Sequence, residues 1–124
     1  MGLFSGLMGN ASEVDDADLE KVLANTLIEG ERVEKAYKVV RDMFIFTNKR
    51  LILLDKQGVT GSKMEMISIA YSKITKFSKE SAGHFDLDAE LKIWVGSDPT
   101  PISKDFKAGD NINDVYRIIS QYSL

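Results

Sequence analysis

Two apolar runs, residues 43–46 (MFIF) and 51–54 (LILL), flank the tetrapeptide TNKR. With Asn48 and Lys49 at the two central positions of a tight turn, Thr47 faces Arg50 and Phe46 faces Leu51. The pairing then continues outward to Asp42 opposite Asp55. Because side chains alternate along a strand, Phe44, Phe46, Leu51 and Leu53 share one face, and Met43, Ile45, Ile52 and Leu54 share the other. A hairpin needs one apolar face to join a core; this one has two. Leaving the second in water would forgo about 6–12 kcal/mol, at about 1.5–3 kcal/mol per large side chain. Two covers are available, a helix of the same chain or a second copy of it. Asp42 opposite Asp55 is mildly unfavourable, with Arg41 and Lys56 as the expected relief.

Around the hairpin the pattern predicts further elements. Ser12 caps a helix over 13–29, with Glu13, Asp15 and Asp16 in its first turn. Leu19, Val22, Leu23, Thr26 and Leu27 recur at helical spacing, and Gly30 is expected as the residue that ends it. RVEKAYKVV, SKMEMISIAY, SKITKFSKE, HFDLDAELKIWV and TPISKDFK alternate as strands between the turn clusters KQGVTG, SAG and GSDPTP. Asp110 is expected to cap a last helix, with Ile112, Val115, Tyr116, Ile119 and Tyr122 on one face. The order is helix, seven strands, helix, which favours a mainly β antiparallel meander that curls on itself to avoid a flat exposed sheet. The domain organisation expected is an N-terminal stretch 1–11, a helix region 12–30 and one β domain 31–124.

Composition narrows the function. The 124 residues contain no cysteine, which removes disulfides and thiolate metal sites, and no apolar run approaches the length of a membrane span. MGLFSGLMGN lacks a basic n-region, so no secretory signal is expected, and cytoplasmic location is the default. Gly6 stands where a myristoylation motif has Ser or Thr. Charge is uneven: residues 1–32 carry seven acids and two bases, whereas 33–124 carry twelve acids and fourteen bases. Neither part has the basic stripe of a nucleic-acid binder.

HFDLDAELKIWV aligns Asp86, Asp88 and Glu90 on one face, but strand spacing puts them in a row at about 6.5–7 Å intervals rather than around a cation. Trp94 on that outward face marks a contact surface. His84, the only histidine, reads as a turn residue, and Ser81 has neither an orienting partner nor an oxyanion hole in the sequence. No catalytic residue, metal or cofactor is therefore expected.

RDMFIFTNKRLILLDKQGVTG followed by SIAYSKITKFSKESAGHFDLDAELKIW resembles the bacterial pleckstrin-homology-like family over residues 29–124, with Ala70 where that pattern has proline. The resemblance implies a pleckstrin-homology-like seven-stranded orthogonal β-barrel capped by a C-terminal α-helix, here with an extra N-terminal helix. It also implies homo-oligomeric rings, and it supplies no biochemical activity. Inositol phosphates are gripped in eukaryotic pleckstrin-homology domains by bases around the loop joining the first two strands. The corresponding anion contacts here are Lys38 and Arg41, with Lys49 and Arg50 on the next hairpin. The expected function is a non-enzymatic assembly or adaptor domain. It self-associates, or docks its N-terminal helix, through Met43, Ile45, Ile52, Leu54 and Trp94. A membrane-surface or lipid-headgroup module is the alternative.

Overall fold

A computed structural model describes residues 16–39, 42–57, 63–81, 88–107 and 111–124, with side chains from residue 20 onward except that of Gln57. Helix α1 (Asp16–Ala24) precedes strands β1 (Val33–Val39), β2 (Asp42–Thr47), β3 (Arg50–Gln57) and β4 (Lys63–Ala70). A single 3-10 turn (Tyr71–Lys73) leads into β5 (Ile74–Ser81), β6 (Ala89–Val95) and β7 (Ile102–Phe106), and α2 (Ile112–Ser123) closes the order.

The strands form two antiparallel meanders, β1-β2-β3-β4 and β5-β6-β7. Among the described residues no ladder joins β4 to β5 or β1 to β7, so the expected closed barrel is instead a pair of open sheets. The chain leaves the first sheet at Ala70, whose φ of −65° is the value that a proline ring fixes. The 3-10 turn then redirects it before β5 can pair with β4.

Between the sheets lies the main core. Phe44, Phe46, Leu51 and Leu53 meet Leu91, Ile93 and Phe106 there, and Val115 and Ile119 of α2 seal one side. Helix α2 packs on β5, β6 and the 3-10 turn, with Phe77 edge-on to Tyr116 and Tyr71 stacked on Tyr122 at 4.5 Å. Its cap position is Asn111, without a side-chain cap bond; Asp110, expected there, lies outside the described residues.

The β2–β3 register is the one read from the hairpin, with Phe46 opposite Leu51 and Asp42 opposite Asp55. Its second face forms a separate core. Met43, Ile45, Ile52 and Leu54 cluster with Val33 and Ala36 of β1 and Leu23 of α1, and Leu27 packs against them. Ile45 and Ile52 are fully buried, Leu54 is 4% and Met43 8% exposed. The helix of the same chain therefore lies on this face and does not project from the domain.

That helix is shorter than expected. It ends at Ala24 rather than at 29, and residues 13–15 fall outside the described part. The apolar spacing misleads because Leu27 packs half-buried on this face from just beyond the helix end. The Thr26 and Leu27 N–H groups both donate to the Leu23 carbonyl, after which the chain turns again at 28–31. Gly30 sits inside that second turn with φ +82°, and the Glu31 N–H donates to the Ile28 carbonyl at 3.0 Å. Positive φ at the third position of a turn is the reason for glycine there, rather than termination of the helix.

Candidate functional site

The most heavily bonded polar site lies at the tip of the β2–β3 hairpin. Thr47 folds back on the turn, its Oγ1 accepting from the N–H groups of Lys49 and Arg50 at 3.0 and 2.9 Å. The same hydroxyl donates to Glu31 Oε2 at 2.7 Å. Arg50 donates from Nε and Nη2 to the two oxygens of Glu31, both at 2.9 Å, a bidentate fork. Its Nη2 also reaches the Thr26 carbonyl at 2.8 Å, and Nη1 reaches Ser68 Oγ at 3.1 Å. Asn48 completes the site. Its side chain accepts from the Arg32 N–H at 2.7 Å and donates to the Gly30 carbonyl at 3.0 Å, while its own N–H donates to the Arg32 carbonyl.

The turn residues thus grip the chain segment 26–32, which carries α1. The Glu31 side chain is fully buried and that of Arg50 is 23% exposed. The Arg50 guanidinium, with help from Thr47 and the Ile28 N–H, outweighs burial and holds the Glu31 carboxyl at about 2. The Tyr71 hydroxyl donates to the Thr47 carbonyl at 2.6 Å, and burial pushes its pKa up.

A second polar group sits at the other end of the hairpin. Asp42 and Asp55 face each other, and Lys104 of β7 reaches across from the second sheet, 2.9 Å from Asp55 and 3.6 Å from Asp42. Relief of the opposed acids therefore comes from Lys104, more than forty residues along the chain. One ammonium serves two carboxylates here. Burial, with repulsion from Asp55 outweighed in part by attraction to Lys104, raises the Asp42 pKa to about 6.

These two shifts oppose each other in their effect on stability. The Asp42 carboxyl binds its proton more tightly folded than unfolded, so its contribution is complete below 3.8 and lost as the pH rises through about 6. The Glu31 contribution is complete above 4.5 and lost as the pH falls toward about 2. Thermal melts are expected to show the Asp42→Asn variant gaining on the parent chain as the pH is raised from 4 to 7. A pH-independent difference would contradict this assignment.

Outward on the second sheet, Glu80, Glu90 and Asp105 are direct cross-strand neighbours. With Ser81, Asp88 and Ala89 they line a shallow depression of about 360 Å³. Two of these acids are partnered, Glu90 by Ser103 and Lys92, Asp88 by Lys107. Among the described residues no cluster of His, Cys, Asp or Glu is arranged to hold a metal ion. Asp86 and His84 lie outside the described residues.

The other residues singled out in the sequence fall apart from one another. Trp94 is half-buried with the Lys76 ammonium 4.1 Å above its ring, on the opposite sheet from Ile45 and Ile52. Arg41 lies outside the described residues. Lys38 is half-buried beside Met43, and Lys49 is exposed in the turn. Those two are roughly 18 Å apart along the hairpin at strand spacing, so they do not converge on one anion. Arg50 does bind a carboxylate, but it is the chain's own Glu31. Glu31 carries no motif of its own; its only sequence signal is its place just after the turn glycine, opposite an arginine in a hairpin.

Comparison with known proteins places this geometry. The sequence profile of the bacterial PH domain matches residues 2–123. The chain is 51% identical over 121 residues to the uncharacterised protein YjqA of Bacillus subtilis strain 168, covering 97% of each. A pleckstrin homology domain from Shewanella amazonensis SB2B superimposes with a TM-score of 0.81 at 48% identity, over 99% of both chains. A protein of the DUF1696 family with a pleckstrin-homology domain, from Shewanella loihica PV-4, gives 0.74 at 46% identity, over 94% of this chain and 99% of that one. No described helix is long and apolar enough to cross a membrane.

Proposed function

The chain belongs to the bacterial PH domain family, and from that footing we propose that it is a non-enzymatic assembly domain that self-associates through the edges of its four-stranded sheet. One observation carries the reading. Among the described residues β1 pairs in that sheet only with β2, and β4 only with β3, which leaves two strand edges without a further strand beside them. In this four-strand meander β1 and β4 run antiparallel, so β1 of a second copy continues the ladder beside β4. Such a contact is heterologous, and it closes into a ring where the rotation between neighbours divides a full turn.

The hairpin's outer face is not the contact. Its apolar side chains are spent on α1, so a neighbour gains nothing from them. Edge pairing instead relies on main-chain hydrogen bonds, with side chains on alternate positions setting specificity.

Sedimentation velocity together with amide hydrogen exchange tests this. A defined oligomer is expected at micromolar concentration, with β4 amides that lose protection when dilution releases the monomer. A chain that sediments as a monomer throughout, with β4 exchange insensitive to dilution, would overturn the proposal.

A further inference from the structure

The outer face of the first sheet is sealed unevenly. Cross-strand rows show it: Ala36, Ile45 and Ile52 are fully buried, but Ser68 at the end of their row is exposed. In the next row Met43 and Leu54 are buried, while Met66 is 37% exposed. One row further Met64 is 47% exposed. The uncovered strip therefore follows β4: Met64, Met66, Ser68 and Ala70, alternate residues without a charge among them.

This strip is continuous with the surface that α1 already covers. The Thr26 hydroxyl, just past the end of α1, lies 3.6 Å from Met66 Sδ. The first ten residues of the chain, MGLFSGLMGN, also lack any charged side chain, in a protein where 28% of residues are charged. Their apolar residues Leu3, Phe4, Leu7 and Met8 have the i, i+1, i+4, i+5 spacing of a one-sided stripe. Reach is no obstacle. The helix α1 is nine residues, about 12 Å from its first to its last residue, and residues 9–15 extended span about 23 Å, enough to return along it.

We propose that the chain's own N-terminal segment packs Leu3, Phe4, Leu7 and Met8 on the Met64–Met66 strip of β4. It thereby completes the cover that α1 begins. Uncharged segment meets uncharged strip, and methionine side chains adapt to such a partner because they are unbranched and polarisable. The proposal concerns the side-chain face of β4 and is independent of the main-chain edge discussed above.

The test uses the full chain labelled at its five methionine methyl groups and at the Leu and Phe side chains. Nuclear Overhauser contacts are expected from residues 3–8 to the Met64 and Met66 methyls. They should survive dilution of the labelled protein into excess unlabelled chain, which preserves contacts within a molecule and removes those between molecules. Deleting residues 2–10 is expected to shift the Met64 and Met66 methyl signals and to leave the fold intact. Contacts that vanish on isotopic dilution would assign the strip to a second copy. Their complete absence, with unshifted methyls in the deletion, would leave it facing solvent. Either result overturns the proposal.

Discussion

Replacing Arg50 with alanine is expected to lower folding stability by about 3–5 kcal/mol, the cost of leaving one member of a buried ion pair alone. Glu31 would remain fully enclosed by the chain with only Thr47 and the Ile28 N–H to satisfy it. The Thr26 carbonyl would lose its donor as well. Lysine at position 50 retains the charge but not the planar fork, so Arg50→Lys should recover only part of the loss. Converting Glu31 to glutamine in the Arg50→Ala background removes the stranded charge and should make the double variant milder than the sum of its parts. Alanine at the neighbouring, exposed Lys49 should change stability by no more than about 0.5 kcal/mol. Urea denaturation followed by circular dichroism measures these four and the Glu31→Gln single variant that the sum requires. Equal, small losses at 49 and 50 would contradict a gripping role for the turn.

The other large effect is expected at Ile52. Glutamate there puts a carboxylate into the apolar cluster of Leu23, Met43, Ile45 and Leu54, a penalty beyond the about 4–5 kcal/mol that marks exceptional substitutions. The variant should fail to fold. Were this face instead a contact between copies, the same substitution would yield a soluble, folded monomer. Glutamate at Met64, on the same side of the sheet but 47% exposed, should cost about 1 kcal/mol or less. Circular dichroism and one-dimensional NMR of the two variants separate these cases. A folded Ile52→Glu chain would contradict the sealed core.

Much of this architecture was legible because it is local. The hairpin register follows from two apolar runs and a two-residue turn, and strict alternation fixes which side chains share a face. The surplus of apolar surface was legible for the same reason. What covers that surface was not, because the decisive bonds join residues far apart in sequence: Glu31 to Arg50, Thr26 to Arg50, and Lys104 to Asp42 and Asp55. Arg50 stood out as an anion binder by its chemistry; sequence alone could not name the anion as internal. The expected helix is longer than α1 because Leu27 keeps helical spacing although the helix has ended at Ala24. The barrel was drawn closed because strand count does not reveal a missing ladder between β4 and β5.

An internal seal also shifts where function is sought. A domain whose greasiest face is closed by its own helix has its sheet edges left for others. Tyr122 bonded to Glu34 and Lys104 bridging the sheets tie the remaining sides together.

Amide hydrogen exchange of residues 23–28, compared with β2 and β3 in the same sample, tests most directly whether one chain closes its own second core. If it does, these amides exchange with protection approaching that of Ile45 and Ile52, unchanged by protein concentration. Exchange near the unprotected rate while Ile45 and Ile52 stay protected, or protection that fades on dilution, would mean that something other than α1 and its Glu31–Arg50 anchor covers the hairpin.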